Sequence, residues 1–131
     1  MSVSLIEKKI YYHDTDCGGV VYYANYLEYL EEGRSQYCLT RGIKLKELAE
    51  SGIYFVVAHT EINYKAPARY QDTVNVITSV EKAGNSTIYF LQKVTRGDIV
   101  LAEAKTTWVQ VGKDFKSQPI NPETKQAFLI T

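Results

Sequence analysis

The periodicity of this chain changes once, and that change limits its fold more than any other feature. From about Tyr26 to Arg41 apolar residues recur at helical spacing. Tyr26, Leu30, Gly33 and Tyr37 fall on one face, with Leu27 beside them. From Phe55 onward the pattern alternates with period two. The stretch Phe55–Lys65 puts Phe55, Val57, His59, Glu61 and Asn63 on one face and Val56, Ala58, Thr60, Ile62 and Tyr64 on the other. Further strands are expected at Thr73–Glu81, Ser86–Thr95 and Ile99–Val111, joined by turns at Gly84-Asn85 and Gly97-Asp98. Turns this short connect antiparallel neighbours. One amphipathic helix against one curled antiparallel sheet makes an α+β domain. At 131 residues the chain holds one such domain, spanning residues 1–131.

The flanking segments fit this frame. Val3 to Tyr12 reads as a first strand, broken by Gly18-Gly19. Asn25 followed by Glu28 is an N-cap signature for the helix, and Gly42 a C-cap. Leu45 to Glu50 forms a short helical turn closed by Gly52, and Pro67 marks a strand end or bend. The last segment pairs briefly near Lys116 and coils into a short helix around Pro122 to Phe128. A single helix covers only part of such a sheet, and its edge strands stay open. Self-association is the expected remedy.

Charge and cysteine usage narrow the function classes. Fifteen acids balance fifteen bases, which argues against a nucleic-acid partner. Cys17 and Cys38 form no CxxC and no ligand-like spacing with the two histidines, so neither zinc nor a disulfide framework is expected. The opening MSVSLIEKKI has no long apolar stretch, so neither a signal peptide nor integral membrane association is expected, and the protein is placed in the cytoplasm.

The chemistry concentrates in His13 to Tyr26, HDTDCGGVVYYANY. Asp14 and Asp16 precede a Gly-Gly turn, an apolar run follows, and a long helix begins. A carboxylate on a tight turn, close to the free N–H groups of a helix N-terminus, pairs a base or nucleophile with a site for developing negative charge.

The segment YYHDTDCGGVVYYANYLEYLEEGR resembles the acyl-CoA thioesterases of the hotdog fold, in which a curled antiparallel sheet wraps a long central helix. More narrowly, it is similar to the 4-hydroxybenzoyl-CoA thioesterase and Tol-Pal-associated thioesterase group. The matching residues are Tyr12, Asp14, Asp16, Gly19, Val20, Val21, Tyr22, Tyr23, Asn25, Tyr26, Glu31 and Arg34. INYKAPARYQDTV resembles the same family's second-strand signature.

The resemblance implies hydrolysis of acyl-CoA to a free acid and CoA. Asp16 would be the nucleophile or general base and the Tyr23 backbone amide the oxyanion donor. CoA would enter as part of the substrate, with no metal or resident cofactor. The assembly would be a homodimer or homotetramer with sites at the subunit interface. Val21, Tyr22 and Asn25 are the expected substrate-binding residues beside the motif, and Lys65, Arg69 and Lys82 the candidate contacts for the CoA phosphates. Two departures stand out. Many Tol-Pal-type members carry histidine at the position of Tyr23, where the benzoyl branch has an aromatic. That branch has a basic cluster after its third strand, whereas Lys82–Ser86 holds one lysine. An acyl-ACP thioesterase and a non-catalytic acyl-CoA-binding hotdog protein are the alternatives.

Other residues have plainer roles. Asp14 is expected to hold the turn, and Cys17 to be a small buried or half-buried thiol. Glu31 and Arg34 stand three apart on the helix, as an ion pair; the resemblance turns Glu31 inward. His59 reads as a core or interface histidine. Tyr22, Tyr23, Tyr26 and Tyr29 are expected to line the helix–sheet core and an acyl channel.

Overall fold

The computed structural model describes residues 3–130. Its elements follow in the order β1 (Val3–Lys9), α1 (Asn25–Thr40), α2 (Leu45–Glu50), β2 (Tyr54–Tyr64), β3 (Thr73–Ala83), β4 (Thr87–Arg96), β5 (Ile99–Val111) and α3 (Pro122–Leu129). The strands form one antiparallel sheet in the order β1-β3-β4-β5-β2, which leaves β1 and β2 as edges. β1 is shorter than expected, because Tyr12–Asp14 turn into a single 3-10 turn.

α1 lies on the sheet with Tyr26, Tyr29, Leu30, Gly33, Arg34, Tyr37 and Cys38 buried. Leu27, expected on this face, is exposed. The closest approach is at Gly33. A Cβ there would lie 2.7 Å from Thr78 Oγ1, 2.8 Å from Val76 Cγ1 and 2.9 Å from Gln92 Nε2. Gly33 is thus required by space, since any side chain would push the helix off β3 and β4. The helix ends in a Schellman motif: Gly42 (φ +70°) donates to Leu39 and Ile43 to Cys38.

Two apolar clusters flank this crossing. One gathers Ile10, Val21, Tyr26, Tyr29, Leu30, Val74, Val76 and Val94. The other gathers Tyr37, Cys38, Ile88, Phe90, Trp108 and Phe128. A buried polar belt joins the helix to the sheet at the crossing. Arg34 Nη1 donates to Gln92 Oε1 at 2.9 Å, and Gln92 Nε2 donates to the Leu30 carbonyl and to Thr78 Oγ1, both at 2.9 Å. Glu31 binds Arg34 Nη2 at 3.0 Å from an exposed position, so the expected ion pair forms with its cation deep in the protein. Burial lowers the guanidinium pKa and Glu31 opposes that shift.

The alternation read for β2 holds only on either side of a bulge between Val57 and His59. Ala58 is the extra residue. Phe55 and Val57 share the Trp108 face, and beyond the bulge Thr60, Ile62 and Tyr64 take that face over. His59 therefore turns outward and is exposed, 3.5 Å from Glu61, so it is not a core histidine.

Candidate active site

The motif segment folds as a small loop clasped between α1 and the β2–β3 connection. Asp14 is its hub. The side chain is buried; Oδ2 accepts the Tyr11 N–H at 2.9 Å and Oδ1 accepts the Tyr29 O–H at 2.7 Å. Its backbone carbonyl accepts the Tyr22 N–H at 3.0 Å and the Asn25 side-chain amide at 2.9 Å. Asp14 thus binds the start of the loop to the start of the helix. The Tyr29 phenol pKa is raised, first by burial and then by Asp14, which keeps the proton on the phenol as the donor.

Asn25 is the first helical residue, not the cap. Ala24 occupies the cap position without a side-chain cap bond, and Glu28 is exposed. The capping signature fails because the incoming chain folds back over the helix and gives Asn25 an acceptor in the Asp14 carbonyl.

Two residues beyond Asp14 the chain makes the turn that presents Asp16. Thr15 and Val21 pair, the Asp16 N–H donates to Val20 at 2.9 Å, and the Gly19 N–H donates to the Asp16 carbonyl at 3.0 Å. Gly19 has φ +77°, the left-handed conformation that glycine adopts without strain. The Asp16 side chain is exposed; Oδ1 accepts the Gly18 N–H at 2.8 Å, and no cation pairs with it among the described residues. Cys17, expected to be at least half-buried, is exposed because the turn projects it to solvent.

Val20 pairs with Arg69, and the Val21 N–H donates to the Ala68 carbonyl at 2.8 Å, so the turn is seated on the β2–β3 connection. The Val21 side chain points into the core and is 5% exposed. Tyr22 and Tyr23 are exposed and pack on each other at 5.0 Å, outside the helix–sheet core where they were expected, whereas Tyr26 and Tyr29 are inside it. Among the described residues no acceptor faces the N–H of Tyr23.

A model of the thioesterase superfamily matches residues 18–103. The chain belongs to that superfamily. It is 37% identical over 123 residues to the acyl-CoA thioesterase YbgC of Haemophilus influenzae, across 92% of this chain and 90% of that one. Among solved structures, a probable thioesterase from Bartonella henselae is 30% identical with a TM-score of 0.87, covering 92% of this chain and all of that one (100%). A 1,4-dihydroxy-2-naphthoyl-CoA thioesterase from Synechocystis superposes with a TM-score of 0.90 over 98% of this chain and 97% of its own, at 22% identity, which is a likeness of fold. The sheet and helix described above are the hotdog fold, and the protein is a thioester hydrolase.

The structure brings some of the expected basic residues of the thioesterase together and separates another. Lys65 and Arg69 both lie on or beside the connection under the Asp16 turn. Lys65 Nζ is 3.9 Å from Glu103, and the Arg69 N–H donates to Asp72 Oδ2 at 2.8 Å. Lys82 lies near the other end of β3, its ammonium 4.8 Å from the centre of the Tyr89 ring. The nine residue-to-residue steps along the strand from Thr73 to Lys82 correspond to about 30 Å.

Two residues of the thioesterase escaped the sequence reading. Arg96 Nη1 binds the Pro67 carbonyl at 2.9 Å and Asp72 Oδ2 at 2.8 Å, fixing the connection that carries Arg69. Tyr64 donates from its phenol to the Tyr23 carbonyl at 3.0 Å. The alternation of β2 put Tyr64 on the face of Ile62, but only the packed topology places the helix N-terminus opposite it.

Proposed function

We propose that this thioesterase hydrolyses acyl-CoA to a free acid and CoA, with Asp16 as nucleophile or general base and the Tyr23 amide as oxyanion donor. The observation that carries this reading is the Asp14 hub. One buried residue fixes both the turn that exposes a carboxylate and the segment whose amide has no internal acceptor. A donor held in place before the reaction stabilises developing charge without reorganisation.

In the general-base route, Asp16 takes a proton from water as its oxygen attacks the thioester carbon. The carbon–sulfur bond then breaks and the departing thiolate takes up that proton. In the nucleophilic route, an Asp16 oxygen bonds to the carbon, the thiolate leaves, and water cleaves the resulting anhydride. A single turnover in oxygen-18 water distinguishes them. Direct attack by water labels only the product acid. An anhydride opened at the aspartyl carbonyl labels Asp16.

Val21 would contribute to the acyl site from the core side and Tyr22 from the exposed side, while Asn25 supports it through the Asp14 carbonyl. Lys65 and Arg69 would meet the CoA phosphates. Lys82 would reach the same substrate only from another subunit. Homo-oligomerisation supplies one, and the unpaired edge of β2, with Val57 and Tyr64 exposed along it, is the proposed contact.

The test is thiol release from short, long and aromatic acyl-CoAs, with Asp16→Asn as control. Turnover lost in the variant supports the reading. Full turnover in Asp16→Asn refutes it, binding without thiol release identifies a non-catalytic acyl-CoA-binding protein, and preference for matched acyl-ACP corrects the carrier.

A further inference from the structure

We propose that Tyr64 is a positioning residue, whose phenol fixes the chain segment presenting the Tyr23 N–H to the thioester oxygen. This rests on the proposed role of the Tyr23 amide.

Peptide planarity supplies the geometry. The Tyr22 carbonyl and the Tyr23 N–H belong to one trans peptide, so they point in opposite directions. The Tyr22 carbonyl accepts the Asn25 N–H at 2.9 Å and is thereby directed toward the helix. The Tyr23 N–H is directed away from it. Upstream, the Tyr22 N–H is held by the Asp14 carbonyl at 3.0 Å. Downstream, the Tyr23 carbonyl receives the Tyr26 N–H at a long 3.3 Å and the Tyr64 phenol at 3.0 Å. The two soft dihedrals of Tyr23 therefore lie between a firm upstream anchor and a downstream anchor that depends on Tyr64. Without the phenol the Tyr23 carbonyl keeps only the long Tyr26 bond, the peptide bearing the free N–H relies on the Asp14 and Asn25 anchors of Tyr22 alone, and its aim loosens.

Tyr64 has the rigidity this task needs. Its backbone closes β2 opposite Ala102, and the next amide, Lys65 N–H, donates to the Leu101 carbonyl at 2.8 Å. Its ring meets the buried Tyr26 edge-on at 5.4 Å and Tyr23 at 6.2 Å. A group on a paired strand thus reaches across to an exposed loop residue. Desolvation, then Tyr23, raises the phenol pKa, so the group stays a donor at neutral pH. Packing needs the ring but not the hydroxyl.

Tyr64→Phe removes the hydroxyl and keeps the ring. On the best acyl-CoA substrate, kcat is expected to fall about tenfold, the rate equivalent of one hydrogen bond, with KM unchanged. A second readout is independent of turnover. With a carbonyl-labelled acyl-CoA bound to Asp16→Asn, adding Tyr64→Phe moves the thioester carbonyl stretch to higher wavenumber as the donor slackens. If Tyr64→Phe does not fold, 3-fluorotyrosine at position 64 supplies a stronger donor and moves the band to lower wavenumber. Wild-type kcat with an unmoved band overturns the proposal, as does a rise in KM alone. Full turnover in Asp16→Asn overturns the reading of the site instead, an outcome distinct from wild-type behaviour in Tyr64→Phe.

Discussion

Tyr29→Phe tests the Asp14 hub through its pH dependence. The substitution keeps the ring, which is 2% exposed, and deletes the O–H that meets Asp14 Oδ1 at 2.7 Å. A hydrogen bond to a charged group contributes about 1.5–3 kcal/mol. The other bonds to Asp14 survive, so a loss of about 2 kcal/mol is expected at pH 7. Denaturant melts at fixed protein concentration measure it, since self-association makes apparent stability concentration-dependent. The folded-state pKa of Tyr29 is raised above its unfolded value. Its contribution is therefore fully present below the unfolded pKa, near 10, and is lost as pH climbs above it toward the folded value. The loss runs at about 1.4 kcal/mol per pH unit. By pH 11 the gap between wild type and Tyr29→Phe should shrink to under about 1 kcal/mol. The other raised tyrosines, Tyr26, Tyr37 and Tyr64, titrate in both proteins and cancel in the comparison. A gap below about 0.5 kcal/mol at pH 7, or one that stays constant from pH 7 to 11, refutes the assignment of Asp14 and Tyr29 as a buried donor–acceptor pair.

Asp16→Asn keeps an oxygen for the Gly18 N–H and should leave stability within about 0.5 kcal/mol while removing most turnover. Parallel melts and thiol release check that separation. Gly33→Ala forces a methyl into contact with Thr78, Val76 and Gln92 and should cost about 1–3 kcal/mol, read from the denaturant midpoint; an unchanged midpoint refutes the close approach. Arg69→Ala should raise KM for acyl-CoA more than for a matched acyl-pantetheine lacking the nucleotide phosphates. Equal effects on both substrates would remove Arg69 from the phosphate contacts.

The chain announces its architecture where local periodicity and packing agree. The stripe through Tyr26, Leu30, Gly33 and Tyr37 and the turns at Gly84-Asn85 and Gly97-Asp98 locate the helix and three strands, because each is a local property. The bulge at Ala58 is legible only in the pairing of β2 with β5, so His59 was assigned to the wrong side. Arg34 reads from its spacing only as half of an ion pair with Glu31, because spacing on a helix does not reveal that Gln92 waits across the sheet. At the site, the Asp14–Asp16 motif and the resemblance it carries single out the segment that folds as the loop against the start of α1. Spacing and likeness assign Asp14 to holding the turn, and in the structure the Tyr29 phenol and the Tyr11 amide bind both its oxygens, while Asp16 faces solvent. Tyr64 and Arg96 lie dozens of residues from their partners, beyond the reach of any local pattern.

The polar belt at the helix crossing acts as an index pin. Greasy surfaces tolerate sliding, but a helix shifted by one turn, about 5.4 Å, would part Gln92 from the Leu30 carbonyl and drive a bulky side chain into the notch that Gly33 fills. The axial setting of the helix is thus locked midway along its length, away from the N-terminal end that meets the Asp16 turn. Substitutions in either hydrophobic half can then alter how tightly the protein holds together while leaving the spacing between the Asp16 turn and the helix N-terminus untouched.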